Sequence, residues 1–370
     1  MIAGGGTGGH LFPGIAVAEA LRRRDAGAAV LFVGSARGIE ARVVPQTGFA
    51  LETLPIAPLR GQGPRDRLSA LAALARSVGR AREISATFAP NAIVGLGGYA
   101  SAPAVVAGRM AGTPIVLLEQ NARPGLTTRL LARLADRVCV SFPESAAAFP
   151  PGKTVVTGNP VRWTTGGAAA AGSAVRPGFG ILVFGGSAGA RTLNAAGPGL
   201  RAALADVPGV RLVHQTGAEA EQRVRAAYAS AGVEADVRPF IADMGAAYAA
   251  ADLVICRAGA TTIAELQALG KPAILVPYPY AADDHQRANA RHFEQQGGGL
   301  VLESAALPLL RQEVLELIFN DWLLAKFRGN LHRMAQENAA EVLVQDLEEL
   351  ARRDPPRRHL RHSPAGAPTA

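Results

Sequence analysis

The chain has 370 residues, 49% of them hydrophobic, with a net charge of +8 at pH 7 carried mostly by arginine. This length exceeds the ~250–300 residues at which a single core usually stops growing, so we expect two domains. The chain shows no run of ~18 apolar residues and no secretory signal pattern, which favours a soluble cytoplasmic protein. It also shows no zinc-finger or RNA-reading motif. We therefore expect its positive charge to face an anionic membrane surface or an anionic substrate, and we expect no nucleic-acid binding.

Short apolar strands alternate with alanine-rich helical stretches along the first half of the chain. After a stub at residues 1–3, the predicted strands are AVLFVG, NAIVGLG, PIVLLEQ, RVCVSF and KTVVTGNPVR. Strands separated by helices of this length predict right-handed βαβ units and a parallel sheet. The stub is shorter than the usual ~5 residues of a strand, and we expect it to weaken the edge of that sheet.

The second half repeats this alternation with GILVFGG, VRLVHQTG, ADVRPF, ADLVICRAG and PAILVPYP. Residues 163–179 have the small-residue composition of a linker, which places one domain at 1–162 and a second at 180–336. The tail at 354–370 is rich in proline and arginine and is expected to be disordered. Cys139 and Cys256 lie in predicted buried strands without metal-ligand spacing, so we interpret both as reduced core residues.

Three glycine-rich turns punctuate the chain: GGGTGGH at 4–10, GLGGY at 95–99 and FGGSAGA at 184–190. A strand that ends in glycines before a helix lets backbone N–H groups approach an anion, and the helix N-terminus adds about half a positive charge. Ligands of open parallel sheets bind beyond the carboxyl ends of the strands. Together the three turns predict two α/β domains that share one cleft for an anionic ligand.

The first turn also reads as G-x-G-x-x-G through Gly4, Gly6 and Gly9, the pattern of dinucleotide-binding domains. Such a domain would place an acidic residue about 20 positions later, at the end of its second strand. Here that strand ends in Gly34 and Ser35, which disfavours a dinucleotide. A tight turn without any ligand remains an alternative for each loop taken alone.

Eight segments, three of which contain the glycine-rich turns, occur in an order and spacing that resemble a known family: GGTGGHLFPGIAVAEAL, GLGGYASAP, LLEQNARPGLTTR, TGNPVR, FGGSAGARTLN, HQTG, CRAGATTIAEL and DDHQRANA. Over about residues 1–350 the chain resembles the MurG family of bacterial peptidoglycan glycosyltransferases. The resemblance implies a GT-B fold, two Rossmann-like domains facing across a cleft, with a helix at about 337–353 packing back on the first. It also implies inverting transfer of N-acetylglucosamine from UDP-GlcNAc to the muramyl 4-hydroxyl of undecaprenyl-linked lipid I, giving lipid II.

The resemblance assigns most of the candidate substrate contacts. Glu265 would hold the ribose, Ile241 the uracil and Gln286 the sugar. The others would lie near the phosphates or line the donor site: Thr7, Gly8, Gly9, Asn121, Arg162, Ser187, Ala260, Thr261, Thr262, Ile263 and Ala264. Each has an ordinary structural alternative, such as a first-turn glutamate, a turn serine, an interdomain arginine or a core isoleucine.

His10 is the candidate catalytic base, because a histidine beside a helix N-terminus is favoured in its neutral, proton-accepting form. The alternative is that it only positions phosphate or caps the loop; Glu119 and Asp283 are weaker base candidates. The chain has no D-x-D pair, the acidic pair by which many nucleotide-sugar enzymes hold Mg²⁺. We therefore predict no bound catalytic metal and no cofactor.

The stretch at residues 65–82 places Leu68, Leu71, Leu74 and Val78 near one helical face, with arginines alongside. This pattern suits a helix lying on anionic lipid, although a helix packed on its own sheet is nearly as compatible. With the resemblance, it predicts peripheral attachment at the cytoplasmic face of the membrane. A different GT-B enzyme, such as a glycolipid synthase or sugar-nucleotide epimerase, and a non-catalytic sensor remain the alternative functions.

Overall fold

The computed structural model describes residues 1–56, 64–162, 178–186, 189–334 and 339–353, with the backbone alone for 64–71 and 353. Two parallel sheets form the frame: one of seven strands in the order β3-β2-β1-β4-β5-β6-β7, and one of six in the order β10-β9-β8-β11-β12-β13. The two-sheet α/β architecture that the sequence predicts is confirmed. Within the described ranges, no helix is both long and apolar enough to cross a bilayer.

The described part of the first half contains seven strands and five α-helices. The strands are β1 Ile2–Ala3, β2 Leu31–Ser35, β3 Ala50–Leu54, β4 Ile93–Gly95, β5 Ile115–Glu119, β6 Arg137–Val140 and β7 Thr154–Val156. The helices are α1 Gly8–Arg24, α2 Glu40–Val43, α3 Pro64–Phe88, α4 Ala102–Ala111 and α5 Leu126–Leu131.

After residue 178, the described residues form six strands and eight α-helices. The strands are β8 Phe179–Phe184, β9 Val210–Gln215, β10 Asp236–Arg238, β11 Leu253–Cys256, β12 Ala273–Leu275 and β13 Gly299–Val301. The helices are α6 Arg191–Ala203, α7 Glu221–Ser230, α8 Met244–Ala249, α9 Ala260–Ala268, α10 His285–Gln295, α11 Leu310–Ile318, α12 Asp321–Met334 and α13 Ala339–Arg353.

The two-residue strand β1 lies in the middle of its sheet. Ile2 pairs with Phe32 of β2 on one side and with Val94 of β4 on the other. The expectation that the short first strand weakens a sheet edge is therefore wrong. Neighbours on both sides compensate for its length, because they satisfy its backbone groups and bury Ile2 and Ala3.

Helix α13 packs against the first half although it follows the second half in the chain. Leu343 and Val344 are fully buried in a cluster with Leu11 and Ile15 of α1. Arg137 of β6 also forms an ion pair of 3.3 Å with Asp346. The domain limits stay a prediction, since 163–177 of the expected linker, 335–338 and the tail lie outside the described residues.

Both cysteines, Cys139 and Cys256, are free and buried.

Candidate active site

A cavity of about 700 Å³ lies between the two halves, beyond the carboxyl ends of the strands of both sheets. We call it the cleft. The first half contributes the loops that follow β1 and β5, together with Arg162 after β7. The second half contributes the turns after β8, β10 and β11 and the loop that leads into α10. Loops at this end of parallel strands are where ligands of such sheets usually bind.

The cleft brings together most of the residues that the sequence singled out: Thr7, Gly8, Gly9, His10, Asn121, Arg162, Ile241, Ala260, Thr261, Thr262, Glu265 and Gln286. Glu119 and Asp283, the weaker base candidates, also line it. Ser187 lies outside the described residues. Ile263 and Ala264 do not line the cleft, because successive helical residues are rotated by about 100° and these two side chains fall on the back of α9.

A buried carboxylate fixes the first glycine turn. Glu40 accepts hydrogen bonds from the backbone N–H of Gly6 and of Ser35, both at 2.7 Å. A Cβ atom at Gly5, whose φ is +148°, would lie 2.4 Å from the Glu40 carboxyl group, so a glycine is required there. The sequence analysis did not predict that Glu40 supports this turn. The only sequence feature that could have indicated it is a single glutamate in a glycine-containing segment.

His10 lies in the first turn of α1, with its Nδ1 atom 3.0 Å from the Thr7 hydroxyl. The second glycine turn lies against the ring: a Cβ atom at Gly97, whose φ is +83°, would be 3.4 Å from His10 Cδ2. Burial, with a smaller contribution from the charge of His285, lowers the pKa of His10 to about 4. The imidazole is therefore neutral at physiological pH and can accept a proton.

His285 and Gln286 begin helix α10, directly after two consecutive residues in the left-handed conformation. Asp283 has φ +51° and Asp284 has φ +55°, conformations that aspartate tolerates better than most residues. Arg123 from the first half donates to the Asp283 carbonyl at 3.0 Å. The Gln286 Oε1 atom accepts from the Tyr278 N–H at 2.9 Å, and this orients its Nε2 amide group as a hydrogen-bond donor.

Glu265 lies one turn into α9 and is half-buried. The Tyr248 hydroxyl donates to its Oε2 atom at 2.9 Å. Burial raises the pKa of Glu265 to about 7, against the opposing effects of the Tyr248 hydrogen bond and the charge of Arg162. Arg162 comes from the first half and stacks over the Phe12 ring at 4.6 Å. Charged groups from both halves therefore influence each other across the cleft.

Hydrogen bonds made by two polar side chains of the second half, Thr261 and Asn289, join the halves. The Thr261 hydroxyl donates to the Gly9 carbonyl at 3.0 Å. Asn289 is fully buried, accepts from the Ala122 N–H at 2.8 Å and donates to Asn121 Oδ1 at 3.2 Å. Asn289 lies in the family segment DDHQRANA, but the sequence analysis gave it no role. The sequence feature that could have indicated one is a polar residue on the inner face of an amphipathic helix.

Glu119 organises the loop that carries Asn121. Its carboxylate accepts from the Asn121 N–H at 3.0 Å and from the Gly125 N–H at 3.1 Å. Burial raises the pKa of Glu119, and these backbone hydrogen bonds oppose the rise. Because its oxygens are already engaged by the loop, Glu119 is suited to shape the cleft rather than to take a proton from a ligand.

Arg257 is a cleft residue that sequence reasoning quoted but did not assign. It follows the fully buried strand β11 directly. An arginine at the end of a buried strand is the sequence feature from which a cleft position could have been predicted. Its guanidinium donates to the carbonyls of Val276 and Pro277, each at 3.0 Å, and to the Thr192 hydroxyl at 2.7 Å. Burial lowers its pKa, although the group remains charged at neutral pH.

Within the described ranges, no three His, Cys, Asp or Glu side chains lie close enough to hold a metal ion. The absence of a catalytic metal stays a prediction.

Comparison with known proteins gives consistent matches over both halves. Residues 1–140 match the glycosyltransferase family 28 N-terminal domain, and residues 180–346 match its C-terminal domain. A protein of Geotalea daltonii is 43% identical over 94% of this chain and 96% of its own length. One of Geobacter sp. strain M21 is 45% identical over 93% and 94%. Both are named UDP-N-acetylglucosamine–N-acetylmuramyl-(pentapeptide) pyrophosphoryl-undecaprenol N-acetylglucosamine transferase.

Solved structures are similar over the same extent. The crystal structure of MurG from Acinetobacter baumannii matches with a TM-score of 0.75 at 32% identity, covering 94% of this chain and 98% of that one. A UDP-GlcNAc 2-epimerase from Neisseria meningitidis matches with a TM-score of 0.66 at 14% identity, covering 94% and 98%. The second likeness concerns the fold alone.

Proposed function

This chain belongs to glycosyltransferase family 28, and from that premise we propose that it transfers N-acetylglucosamine from UDP-GlcNAc to the muramyl sugar of lipid I. The products are lipid II and UDP, in the synthesis of peptidoglycan. The names of relatives that match at 43–45% identity over nearly the whole chain support this activity. The observation that carries the proposal is a single cleft in which His10 of one half and Glu265 of the other both line the wall.

The chemistry is a displacement at the anomeric carbon of the donor sugar. The 4-hydroxyl oxygen of the acceptor forms a bond to C1, the bond from C1 to the diphosphate oxygen breaks, and UDP leaves with the electron pair. His10 takes the hydroxyl proton. In the tautomer whose Nδ1–H donates to Thr7, the lone pair is on Nε2, so Nε2 is the accepting atom.

Charge develops on the departing diphosphate, and the protein supplies fixed positive groups for it. The N-terminus of α9, where Thr261 and Thr262 line the cleft, directs backbone N–H groups toward the ligand. Arg162 adds a guanidinium. We assign the ribose to Glu265, the uracil to Ile241 and the sugar to the Nε2 group of Gln286.

Two assays separate this function from the alternatives. The protein is incubated with radiolabelled UDP-GlcNAc, with and without a lipid I analogue. A lipid I transferase forms labelled lipid only when the analogue is present. An epimerase converts the donor without any acceptor, and a sensor binds the donor without turnover, so either result would contradict the proposed function.

We expect uridine binding to strengthen as the pH rises from 6 to 8. The ribose is assigned to the carboxylate of Glu265, whose pKa is raised to about 7 by burial, so the protein must lose a proton to bind below that pH. With this pKa, the affinity gain over two pH units is about 10-fold. Uridine is chosen because, unlike UDP, it has no phosphate that titrates in this range. Glu265→Gln should flatten the profile, and an unchanged slope in that variant would exclude Glu265 as its source.

An exposed apolar surface lies beside the cleft, as suits a protein that acts on a lipid-linked substrate. Met110 of α4 and Leu126 and Leu130 of α5 are 59%, 63% and 53% exposed, and Leu126 also lines the cleft. Exposed arginines flank them: Arg109, Arg129 and Arg133. We call these six residues the docking patch and propose that it holds the enzyme on anionic lipid at the cytoplasmic face of the membrane.

The helix that the sequence singled out for the membrane is α3, which contacts α4. The side chains of Leu68 and Leu71 lie outside the described residues. Leu74 is exposed (38%), whereas Val78 is half-buried. We keep the prediction that α3 contacts lipid and propose that it extends the docking patch.

Vesicle co-sedimentation should increase with phosphatidylglycerol or cardiolipin content and decrease with salt. Replacing Met110 and Leu130 together by serine should weaken binding by about 10-fold or more, because two side chains lose their apolar burial in the lipid. The matched control replaces Phe319 and Trp322 by serine; both are exposed in the second half, away from the docking patch. Equal binding to neutral and anionic vesicles would contradict the docking patch.

A further inference from the structure

The Glu265 carboxylate at the wall of the cleft is hydrogen-bonded to a tyrosine that lies in the core. Its Oε2 atom accepts from the Tyr248 hydroxyl at 2.9 Å. A carboxylate offers about four acceptor positions, so this bond leaves others for a ligand in the cleft. Because a glutamate side chain has several rotatable bonds, a ligand binds more tightly when it finds the carboxylate already in place.

Tyr248 is itself fixed by the core of the second half. Its side chain is fully buried, and its ring packs edge-on against Phe184 with the ring centroids 6.0 Å apart. Phe184 ends β8 and lines the cleft. Helix α8, which carries Tyr248, is capped by Asp243, whose side chain accepts from the Ala246 N–H at 2.9 Å. Packing therefore sets the position of the Tyr248 hydroxyl.

The Tyr248 hydroxyl is a donor that a ligand does not touch, because Tyr248 does not line the cleft. Burial, together with the charge of Glu265, raises the pKa of Tyr248 well above its usual range, so the hydroxyl keeps its proton. Its hydrogen bond stabilises the charged carboxylate and opposes the rise that burial causes in the pKa of Glu265. The charged carboxylate is the stronger acceptor for hydroxyl groups of a ligand.

Other titratable or charged groups also surround Glu265. They include Cys256 at the end of β11 and Arg162 of the first half. Burial raises the pKa of Cys256, with a smaller contribution from the charge of Glu265, so the thiol stays neutral. The charge of Arg162 favours the ionised carboxylate, and an arginine keeps its charge at neutral pH. Neither group changes its charge near pH 7, the range in which Glu265 does.

Helices α1, α10 and α12 also pack against α9. From the first two, His10 and His285 line the cleft together with Glu265. Burial keeps His10 neutral by lowering its pKa to about 4. His332 of α12 faces Gly270, beyond the far end of α9. Any pH dependence that His285 contributes persists in Glu265→Gln, so this variant separates it from the titration of Glu265.

We propose that Tyr248 is a positioning residue of the donor site, whose hydroxyl holds the Glu265 carboxylate in place to accept from the ribose. The proposal rests on the function proposed above, which assigns the ribose to Glu265. Tyr248 touches neither the ligand nor the reacting atoms, and it acts through the carboxylate. Its removal should therefore change nucleotide affinity together with the pH dependence of that affinity.

Tyr248→Phe removes the hydroxyl and keeps the ring that packs on Phe184. Uridine is titrated calorimetrically into the full chain between pH 6 and pH 8.5. Because the charged carboxylate loses a donor, the midpoint of the pH profile should rise by about one pH unit. Uridine should then bind about 10-fold more weakly at pH 6, with a smaller loss at pH 8.5. An unchanged midpoint would overturn the proposal, even if the affinity falls.

Tyr228→Phe is the matched control. Tyr228 is also a buried tyrosine of the second half, but its hydroxyl lies 2.9 Å from His214 Nδ1 and it does not line the cleft. This variant should keep the wild-type midpoint. A shift equal to that of Tyr248→Phe would show that the loss of any buried hydroxyl moves the profile, and the specific role of Tyr248 would be refuted.

A double variant tests whether Tyr248 acts through Glu265. Tyr248→Phe should weaken UDP by about 5-fold at pH 7 in the wild-type background. In the Glu265→Ala background the loss should be less than about 2-fold, because the carboxylate through which Tyr248 acts is gone. Equal losses in both backgrounds contradict the proposal. Failure of the donor assignment is distinguishable, since Glu265→Ala alone would then leave UDP affinity unchanged.

Fluorine NMR of the chain labelled with 3-fluorotyrosine needs no stable Tyr248 variant. The chain has five tyrosines, and the resonance of the one bonded to Glu265 should titrate near pH 7. Uridine should move this titration to lower pH, because the ligand binds the charged carboxylate. Glu265→Gln should abolish the titration. If no tyrosine resonance titrates in this way, or if uridine does not move the titration, Tyr248 does not position Glu265 for the ribose.

Discussion

His10→Ala should lower kcat by roughly 10²–10⁴, the usual contribution of a positioned general base, with nearly unchanged affinity for UDP-GlcNAc. The loss falls on kcat because the proton moves only in the transition state. Burial keeps the imidazole neutral by lowering its pKa to about 4, so the base is unprotonated at neutral pH. Steady-state kinetics with the lipid I analogue, together with calorimetric titration of the donor, measure the two quantities separately.

Two variants make the His10 result specific. His332→Ala removes an exposed histidine of α12 that does not line the cleft and should retain wild-type turnover. Thr7→Val removes the hydroxyl 3.0 Å from His10 Nδ1, so we expect an intermediate loss in kcat of about 10-fold. Wild-type turnover in His10→Ala would remove this residue from the mechanism and leave the loop with a phosphate-positioning role.

Glu265→Ala should weaken UDP and UDP-GlcNAc by the same factor, roughly 10- to 150-fold. A carboxylate that accepts from two ribose hydroxyls in a partly buried cleft contributes about 1.5–3 kcal/mol, and both ligands contain the ribose. Gln286→Ala should weaken UDP-GlcNAc and hardly change UDP, because Gln286 is assigned to the sugar. Calorimetric titration of both variants with both ligands gives a four-way comparison.

The stability of the free protein adds a second measurement for Glu265. A solvent-facing glutamate could be removed at little cost, but Glu265 is half-buried and accepts from the Tyr248 hydroxyl at 2.9 Å. Glu265→Ala should therefore reduce the free energy of unfolding by about 1–3 kcal/mol, and Glu265→Gln, which keeps an acceptor, by less. Unchanged UDP affinity in a folded Glu265→Ala variant would overturn the donor-site assignment.

Strand existence was predictable where the strand is buried on both faces. Strands such as β5 and β11 are fully buried, and they read in the sequence as continuous apolar runs. Two strands were missed. β3 is a sheet edge in which only Leu54 is fully buried, and β13 is a three-residue edge strand directly after two glycines. Neither presents enough apolar sequence to be recognised.

The candidate site was predictable to the extent that it depends on local chemistry. Glycines after a strand, a histidine in the first turn of α1 and a glutamate one turn into α9 are each specified within a few residues of chain. The family motifs then assigned most of the residues that line the cleft. The sequence could not show which side chains of α9 face the cleft, because the faces of a short apolar helix are distinguished only by what packs on them.

The sequence by itself determined the alternation of strands and helices, the two parallel sheets and the glycine turns that open the cleft. Only the tertiary structure decided that β1 is central, that Glu40 fixes the first turn, and that Asn289 and Thr261 fasten the halves together. The physical reason is range. Turn chemistry and hydrophobic period act between neighbours in the chain, whereas the hydrogen bond from Thr261 to Gly9 joins residues 252 positions apart.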